Sequence, residues 1–263
     1  MARKRRLDRL LVDRQLAPTR SKAAAMIMAG EVKVNDRLVD KPGAMIQFDA
    51  TIKLKPKPRY VGRGGLKLEA ALQAFDIDPV GKVCADVGAS TGGFTDCLLQ
   101  HGAAKVYAID VGSGIIDYRL RIDDRIILLE NTNARHLDRL PEQPDLVVID
   151  VSFISLRLIF PAIKRWIETG ADIVALVKPQ FEAGKSDVGK GGIVRDLAVH
   201  RRVLTAIVDF AATLGLIPVD TTRSPITGAK GNIEYLLWLR HDSEAVSPMD
   251  FQGQIDSLFT STE

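Results

Sequence analysis

The run KVCADVGASTGGFTDCLLQHG at 82–102 has residue types and spacing suited to holding a nucleotide-like ligand. An apolar strand would end at Asp86, a glycine-rich turn follows, and a helix opens near Gly92 and closes at Gly102. Glycines let the backbone approach a ligand, and a helix N-terminus offers free N–H groups. NAD would be served equally well by such a turn, but Gly88, Gly92 and Gly93 do not make the G-x-G-x-x-G spacing. The next apolar run, VYAID, brings the carboxylate of Asp110 to a strand end 24 residues after Asp86. An acid there can accept both hydroxyls of a ribose, although an acid after a strand is also a common helix cap. A third strand ends in ENTNA, with Asn133 placed for the base. Further charged residues stand at Asp150 after VVI, at Lys178 after VALV and at Glu234 within NIEYLLWL, and Lys67 lies ahead of the first strand. Singly, each would be a surface ion pair of little worth.

These groups need a scaffold, and the pattern supplies one. Apolar runs at 82–88, 105–110, 126–130, 145–150, 172–178, 217–222 and 233–240 predict strands. Helical spacing lies near 66–76, 92–101, 155–168 and 197–214. Strand–helix alternation predicts an α/β, mainly parallel, doubly wound sheet, with the last two strands an antiparallel pair at one edge. The loop GKSDVGKGG at 184–192 reads G-x-x-x-x-G-K, but Gly191 stands where a phosphate loop needs Ser or Thr. It also follows a late strand, so it reads as a lid over a substrate and not as an ATP site.

Composition bounds the function. No apolar run approaches the roughly 18 residues of a membrane span, and the basic start lacks a signal-peptide apolar region. Two cysteines, Cys84 and Cys97, and four scattered histidines give no metal spacing, so a reduced, metal-free, cytoplasmic protein is expected. The net charge of +3 hides an asymmetry: residues 1–63 hold 16 basic and 6 acidic residues, a net +10, leaving −7 for the rest. A basic module on an acidic body points to a polyanionic partner.

That module also looks folded. Arg3, Lys4, Arg5 and Arg6 lead into a helix bearing Leu7, Leu10 and Leu11, and Thr19 or Ser21 can cap a second helix that stops at Gly30. Val32 and Val34 then alternate with Lys33, Asn35-Asp36 offers a turn, and a further strand is expected within Ile46 to Lys55. The string TRSKAAAMIMAGEVKVND at 19–36 resembles the alpha-L RNA-binding motif of the ribosomal protein S-four superfamily, with Asn-Asp where Asn-Gly is usual. The resemblance implies an RNA-binding surface carrying Arg20, Lys22, Lys33 and Arg37, with Arg3 to Arg6 beside it. Lys55 to Arg59 reads as a proline-stiffened linker, and the implied division is 1–58 RNA-binding, 59–63 connecting and 64–263 catalytic.

The strand-D-x-G-x-x-x-G-G pattern is similar to the cofactor loop of class I (Rossmann-like) methyltransferases, which bind S-adenosylmethionine there. That resemblance implies Asp86, Gly88, Ala89, Ser90, Gly92, Gly93, Phe94, Asp110, Val111, Asn133 and Ala134 as its site. Over nearly its whole length the chain resembles the TlyA family of ribosomal RNA 2′-O-methyltransferases, historically labelled haemolysins, with a catalytic domain of the FtsJ type. The carrying strings are GRGGLKL, DVGASTGGFTD, AIDVG, ENTNAR, DLVVIDVSFISL, LVKPQFEAGK and GNIEYLLWL. FtsJ-type ribose methylases use a Lys-Asp-Lys-Glu tetrad, which falls on Lys67, Asp150, Lys178 and Glu234. The resemblance further implies a cytidine target in 23S rRNA, with 16S rRNA a second target in some members.

The residue types suit that reaction. A ribose hydroxyl is a weak nucleophile and gains from a base; a lysine serves only once its proton is lost, which burial and a neighbouring cation favour. Lys178 is expected as the base, the other three as positioning groups. Base methylation is disfavoured, since Asp150-Val-Ser-Phe153 is not the [DN]-P-P-[YF] of amino methylases and neither cysteine follows a proline. A lytic protein would need an amphipathic or spanning segment the sequence lacks, and a non-catalytic ribosome-assembly factor would not need the charged set.

Overall fold

The computed structural model describes residues 3–56, 58–242 and 251–260. Lys57 of the linker and the tail residues 243–250 and 261–263 lie outside the described residues. The chain divides into two compact units, Met1–Pro58 and Arg59–Glu263.

In the first unit, α1 (Leu7–Asp13) and α2 (Arg20–Met28) pack on strands β2 (Val32–Val34), β3 (Arg37–Leu38) and β5 (Ile52–Leu54), ordered β3-β2-β5. Leu7, Leu11, Ala23, Ile27, Val32 and Val34 form the small core. Thr19 caps α2 by accepting from the Lys22 N–H. Asn35 and Asp36 both adopt positive φ, 48° and 63°, as a tight hairpin turn requires. Asp36 pairs with Lys53 at 2.7 Å in an exposed ion pair. Two elements differ from expectation. Lys4–Arg6 is a strand, β1, pairing antiparallel with β4 (Met45–Gln47), so the single strand expected in 46–55 splits between two sheets. The cause is pairing: β4 finds its partner in the chain start and β5 finds its own in β2, a choice local pattern does not encode.

The second unit is built on a seven-stranded sheet. In chain order it contains α3 (Gly64–Ala74), β6 (Val83–Val87), α4 (Gly93–Gln100), β7 (Lys105–Ile109), α5 (Tyr118–Arg121), β8 (Ile126–Leu129), β9 (Leu146–Ile149), α6 (Phe160–Ile163), β10 (Asp172–Val177), α7 (Pro179–Glu182), α8 (Leu197–Thr213), β11 (Leu216–Arg223), β12 (Tyr235–His241) and α9 (Phe251–Thr260). The spatial order is β11-β12-β10-β9-β6-β7-β8, and only β12 runs against its neighbours. Alternate residues of each strand feed opposite faces, as a pleated strand buried on both sides must. Cys84, Val106, Leu146 and Val174 meet Leu68, Leu72 and Leu98 of α3 and α4. Ala85, Tyr107, Val147 and Ile173 meet Trp166, Leu204 and Ile207 with Ile255 of α9.

The helix expected over 155–168 is broken. A 3₁₀ turn at Leu156–Leu158 gives way to the single turn α6. Pro161 has no N–H to offer the carbonyl of Arg157, so one continuous helix cannot close there. Strand order reverses at β6, which pairs with β7 on one side and β9 on the other. A crevice opens at the carboxyl ends of these strands, where open α/β sheets bind ligands.

Candidate active site

The turn after β6 lies close under its neighbours. Gly88 has φ +89°, and a Cβ there would sit 2.5 Å from the Asp150 carbonyl oxygen. Its N–H donates to the Ile109 carbonyl. Gly92, at φ +95°, precedes α4 and leaves no room for a side chain beside Leu120. Ser90 takes a positive φ of 51°, which aims its N–H at Asp110 Oδ2, 2.8 Å away. Asp110 Oδ1 accepts from the Gly112 N–H at 2.7 Å, so this carboxylate ties two loops together and retains lone pairs for a ligand. Beneath them Asp86 is fully buried. Its Oδ2 accepts from Thr95 Oγ1 at 2.6 Å and its Oδ1 has no hydrogen-bond partner among the described residues. Burial pushes its carboxyl up to about 7, only partly opposed by the Thr95 hydrogen bond.

Two cavities flank this turn. The first, about 400 Å³, is lined by Gly88, Ser90, Asp110, Val111, Asn133 and Ala134 among the expected residues. Asp150, Val151, Ser152 and Phe153 line it too, with Val87, Ile109, Ile115, Thr132, Ile154 and Ile159. The second, about 300 Å³, takes in Gly88, Ala89, Ser90, Gly93 and Phe94, together with Lys67, Asp150, Lys178 and Glu234. Asp86 and Gly92 line neither and lie behind the wall. Asn133 uses its Oδ1 to cap the turn at Ala134–His136, accepting from the Arg135 N–H, which leaves its amide nitrogen for a ligand.

The charged residues form two ion pairs. Lys178 Nζ is 2.5 Å from Asp150 Oδ1 and donates to Ser152 Oγ at 3.0 Å. Lys67 Nζ is 2.5 Å from Glu234 Oε2. Lys67, Lys178 and Glu234 are buried, whereas Asp150 is partly open and lines both cavities. Glu234 sits one residue before β12, against Gly228, where a Cβ would lie 1.9 Å from its Oε1. The two strand-end loops are fastened further along. Glu182 accepts from Ser155 Oγ at 2.6 Å and from the Leu156 N–H at 2.8 Å, and burial raises its carboxyl. Phe153, 90% exposed at φ 63°, packs on Phe181 with ring centroids 4.9 Å apart.

Arg63, Ser152, Phe153, Gln180 and Phe181 line the second cavity and were not anticipated. Ser152 and Phe153 directly follow Asp150, so the loop after a site-bearing strand was the available signal. Phe181, three residues after Lys178, carried the same signal, and Arg63 lies within the string GRGGLKL. The basic residues of the first unit divide differently. Arg6 and Arg20 both pair with buried Asp8, whose carboxyl they hold well below the usual range. Arg5 pairs with Asp13 and Arg3 lies over the Phe48 ring. Lys4, Lys22, Lys33 and Arg37 are exposed and pair with no described acid.

Comparison with known proteins places this geometry. The FtsJ-like methyltransferase family matches residues 60–241, and the S4 domain family matches residues 5–52. The 16S/23S rRNA (cytidine-2′-O)-methyltransferase TlyA of Mycobacterium tuberculosis is 45% identical over 248 residues, covering 93% of this chain and 92% of the relative. The chain belongs to the TlyA family of FtsJ-like methyltransferases. A Bacillus subtilis relative provisionally assigned as an rRNA methyltransferase, YqxC, is 50% identical over 247 residues, covering 92% of this chain and 88% of its own. A solved structure of a Streptococcus thermophilus protein provisionally assigned as a hemolysin matches with TM-score 0.73 and 41% identity, covering 98% of this chain and 97% of that one. No helix among the described residues is long and apolar enough to cross a membrane.

The first cavity fits the S-adenosylmethionine such an enzyme uses. Asp110 offers carboxylate lone pairs to ribose hydroxyls, and Ile109, Val111, Ala134 and Ile154 offer an apolar slot for a flat base. Gly88, crowded on Asp150, lets the turn lie close to the ligand's charged end. When bound, this donor supplies a methyl group made electrophilic by its sulfonium.

Proposed function

We propose that this chain methylates the 2′-hydroxyl of a cytidine in ribosomal RNA, with 23S rRNA as substrate and 16S rRNA as a second target. One observation carries the reading: Asp150, Gly88 and Ser90 line both cavities, so donor and acceptor meet at one carboxylate that already holds a lysine. Lys178 is the base. Asp150 and Ser152 occupy two directions around its Nζ and fix the third toward the cavity. A ribose hydroxyl bound there gives its proton to Nζ, and the freed oxygen is the nucleophile. Lys67, steered by Glu234, places a second positive charge on the same cavity, where it stabilises the developing oxyanion. Asp86 and Asp110 brace the donor turn from below and from the side.

The division of labour follows the chain. Residues 1–58, with Lys4, Lys22, Lys33 and Arg37 exposed, hold structured RNA. Residues 59–263, whose Arg63 lines the second cavity, carry out the transfer. The protein works in the cytoplasm, where ribosomal subunits are.

The test is transfer of tritiated methyl to purified 23S and 16S rRNA and their subunits, followed by mapping of the modified ribose. Label resistant to alkaline cleavage at a cytidine, and absent with Lys178→Ala, supports both activity and base. Near-normal methylation by Lys178→Ala would remove Lys178 from its role.

A further inference from the structure

The glycine- and lysine-rich loop after α7 has no part in the chemistry above, and the structure shows it fastened to the acceptor side of the site. Gly189 and Ile193 bridge across its turn. Asn232, 4% exposed, locks it from the other side: Nδ2 donates to the Gly192 and Ala229 carbonyls, and Oδ1 accepts from the Val194 N–H. Buried His200 adds a link through Nε2 to the Val194 carbonyl, with Nδ1 on the Tyr235 hydroxyl. Asn232, Glu234 and Tyr235 are thus closely spaced anchors leading into β12. The latch that seats the loop and the carboxylate that steers Lys67 share one short segment.

This fastening sets three cations on one rim. Ala229 lines the acceptor cavity, and Lys230 follows it in a left-handed conformation, φ 58°. Lys190 lies in the turn that Asn232 holds beside Ala229. Arg195 flanks the same turn, with Nη1 3.9 Å from where a Gly189 Cβ would be. All three are exposed and pair with no described acid. The acids nearby in sequence are committed elsewhere: Asp187 to Arg202, Asp196 to the Ala198 N–H, Glu182 to Ser155 and Leu156, Glu234 to Lys67. Three cations in no ion pair among the described residues, displayed on a latched rim beside an acceptor cavity, suit a chain of phosphates.

We propose that Lys190, Arg195 and Lys230 form a second RNA-binding surface, which grips the backbone phosphates next to the methylated nucleotide and presents its ribose to Lys178. The inference rests on the RNA-methylating reading for its ligand. It adds that the catalytic unit itself carries part of the RNA affinity.

The experiment uses the full chain and purified 23S rRNA as the probe, with binding measured across a salt series. Lys190→Ala/Arg195→Ala/Lys230→Ala should bind about tenfold or more weakly near 0.1 M salt, and its log Kd against log salt should be shallower by about 2 to 3, one unit per lost contact. The conservative triple Lys190→Arg/Arg195→Lys/Lys230→Arg should restore both. Lys164→Ala, beside Gly215 at the other end of the sheet, controls for a general loss of charge. Binding of S-adenosylhomocysteine by the alanine triple should match wild type, showing an intact fold. Unchanged affinity and slope in the alanine triple would overturn the rim while leaving the proposed function standing. Wild-type protein that binds this RNA but transfers no methyl would instead remove the proposed function, with the rim still judged by its binding arm.

Discussion

Glu234→Gln should destabilise the catalytic unit, and a compensating change at Lys67 should rescue stability without rescuing activity. Lys67 Nζ and Glu234 Oε2 are 2.5 Å apart, with side-chain exposures of 10% and 3%. At an effective dielectric of 20 their attraction is about 7 kcal/mol. Taking two ions out of water costs several kcal/mol each, so the pair as a whole contributes little net stability. Removing one partner is different, because the other stays buried and charged: about 3 to 5 kcal/mol is lost. For a unit of this size that lowers Tm by roughly 6 to 20 °C. Replacing both, Lys67→Met/Glu234→Leu, should return Tm close to wild type, a non-additivity of several kcal/mol. Both tryptophans, Trp166 and Trp238, lie in the second unit, so fluorescence-monitored unfolding reports this unit alone. Both variants, Glu234→Gln and Lys67→Met/Glu234→Leu, should lack methyl transfer. Additive losses in the double variant would show that the two side chains act separately, and the tetrad's paired geometry would then be wrong.

Three further outcomes follow from the same geometry. Asp86 is pushed from 3.8 up to about 7 by burial, so the folded state retains a proton the unfolded state has lost, and the contribution of Asp86 to stability falls as pH rises from about 4 to 8. Asp86→Asn should remove a penalty of up to about 4 kcal/mol at pH 8 and change little at pH 4; a difference between the two proteins that does not vary with pH would contradict the burial argument. Gly88→Ala must place a Cβ 2.5 Å from the Asp150 carbonyl at φ +89°, and titration calorimetry should find donor affinity at least tenfold weaker, about 1.4 kcal/mol or more. Gly228→Ala would thrust a methyl onto Glu234 Oε1, so kcat should fall while calorimetric affinity for S-adenosylhomocysteine, bound in the other cavity, stays the same.

The donor side of the site was legible because its determinants are local. A glycine turn after a buried strand, and an acid closing the next strand, are written within 29 residues, and hydrophobic period alone gives seven strands. The acceptor side is legible only in part. Lys67, Asp150, Lys178 and Glu234 span 167 positions, and what joins them is sheet order: β12 inserts between β10 and β11, bringing Glu234 across to α3. No periodicity encodes that insertion, so only a resemblance to a family linked those residues beforehand.

What escaped the sequence escaped for similar reasons. Whether Lys4–Arg6 and Met45–Gln47 form strands depends on each finding the other, and short segments do not specify distant partners. The break at Pro161 was visible in composition but was outweighed by the apolar spacing around it. The Asn232 latch came from tertiary contact alone. The sequence by itself determined which residues could do the chemistry and the alternating elements that carry them, since period, turns and charge are local properties. Tertiary structure alone decided which lysine meets which carboxylate, that Asp150 stands between two cavities, and that three cations in no ion pair among the described residues share a rim. Those are relations between segments far apart in the chain, fixed by strand order and close packing.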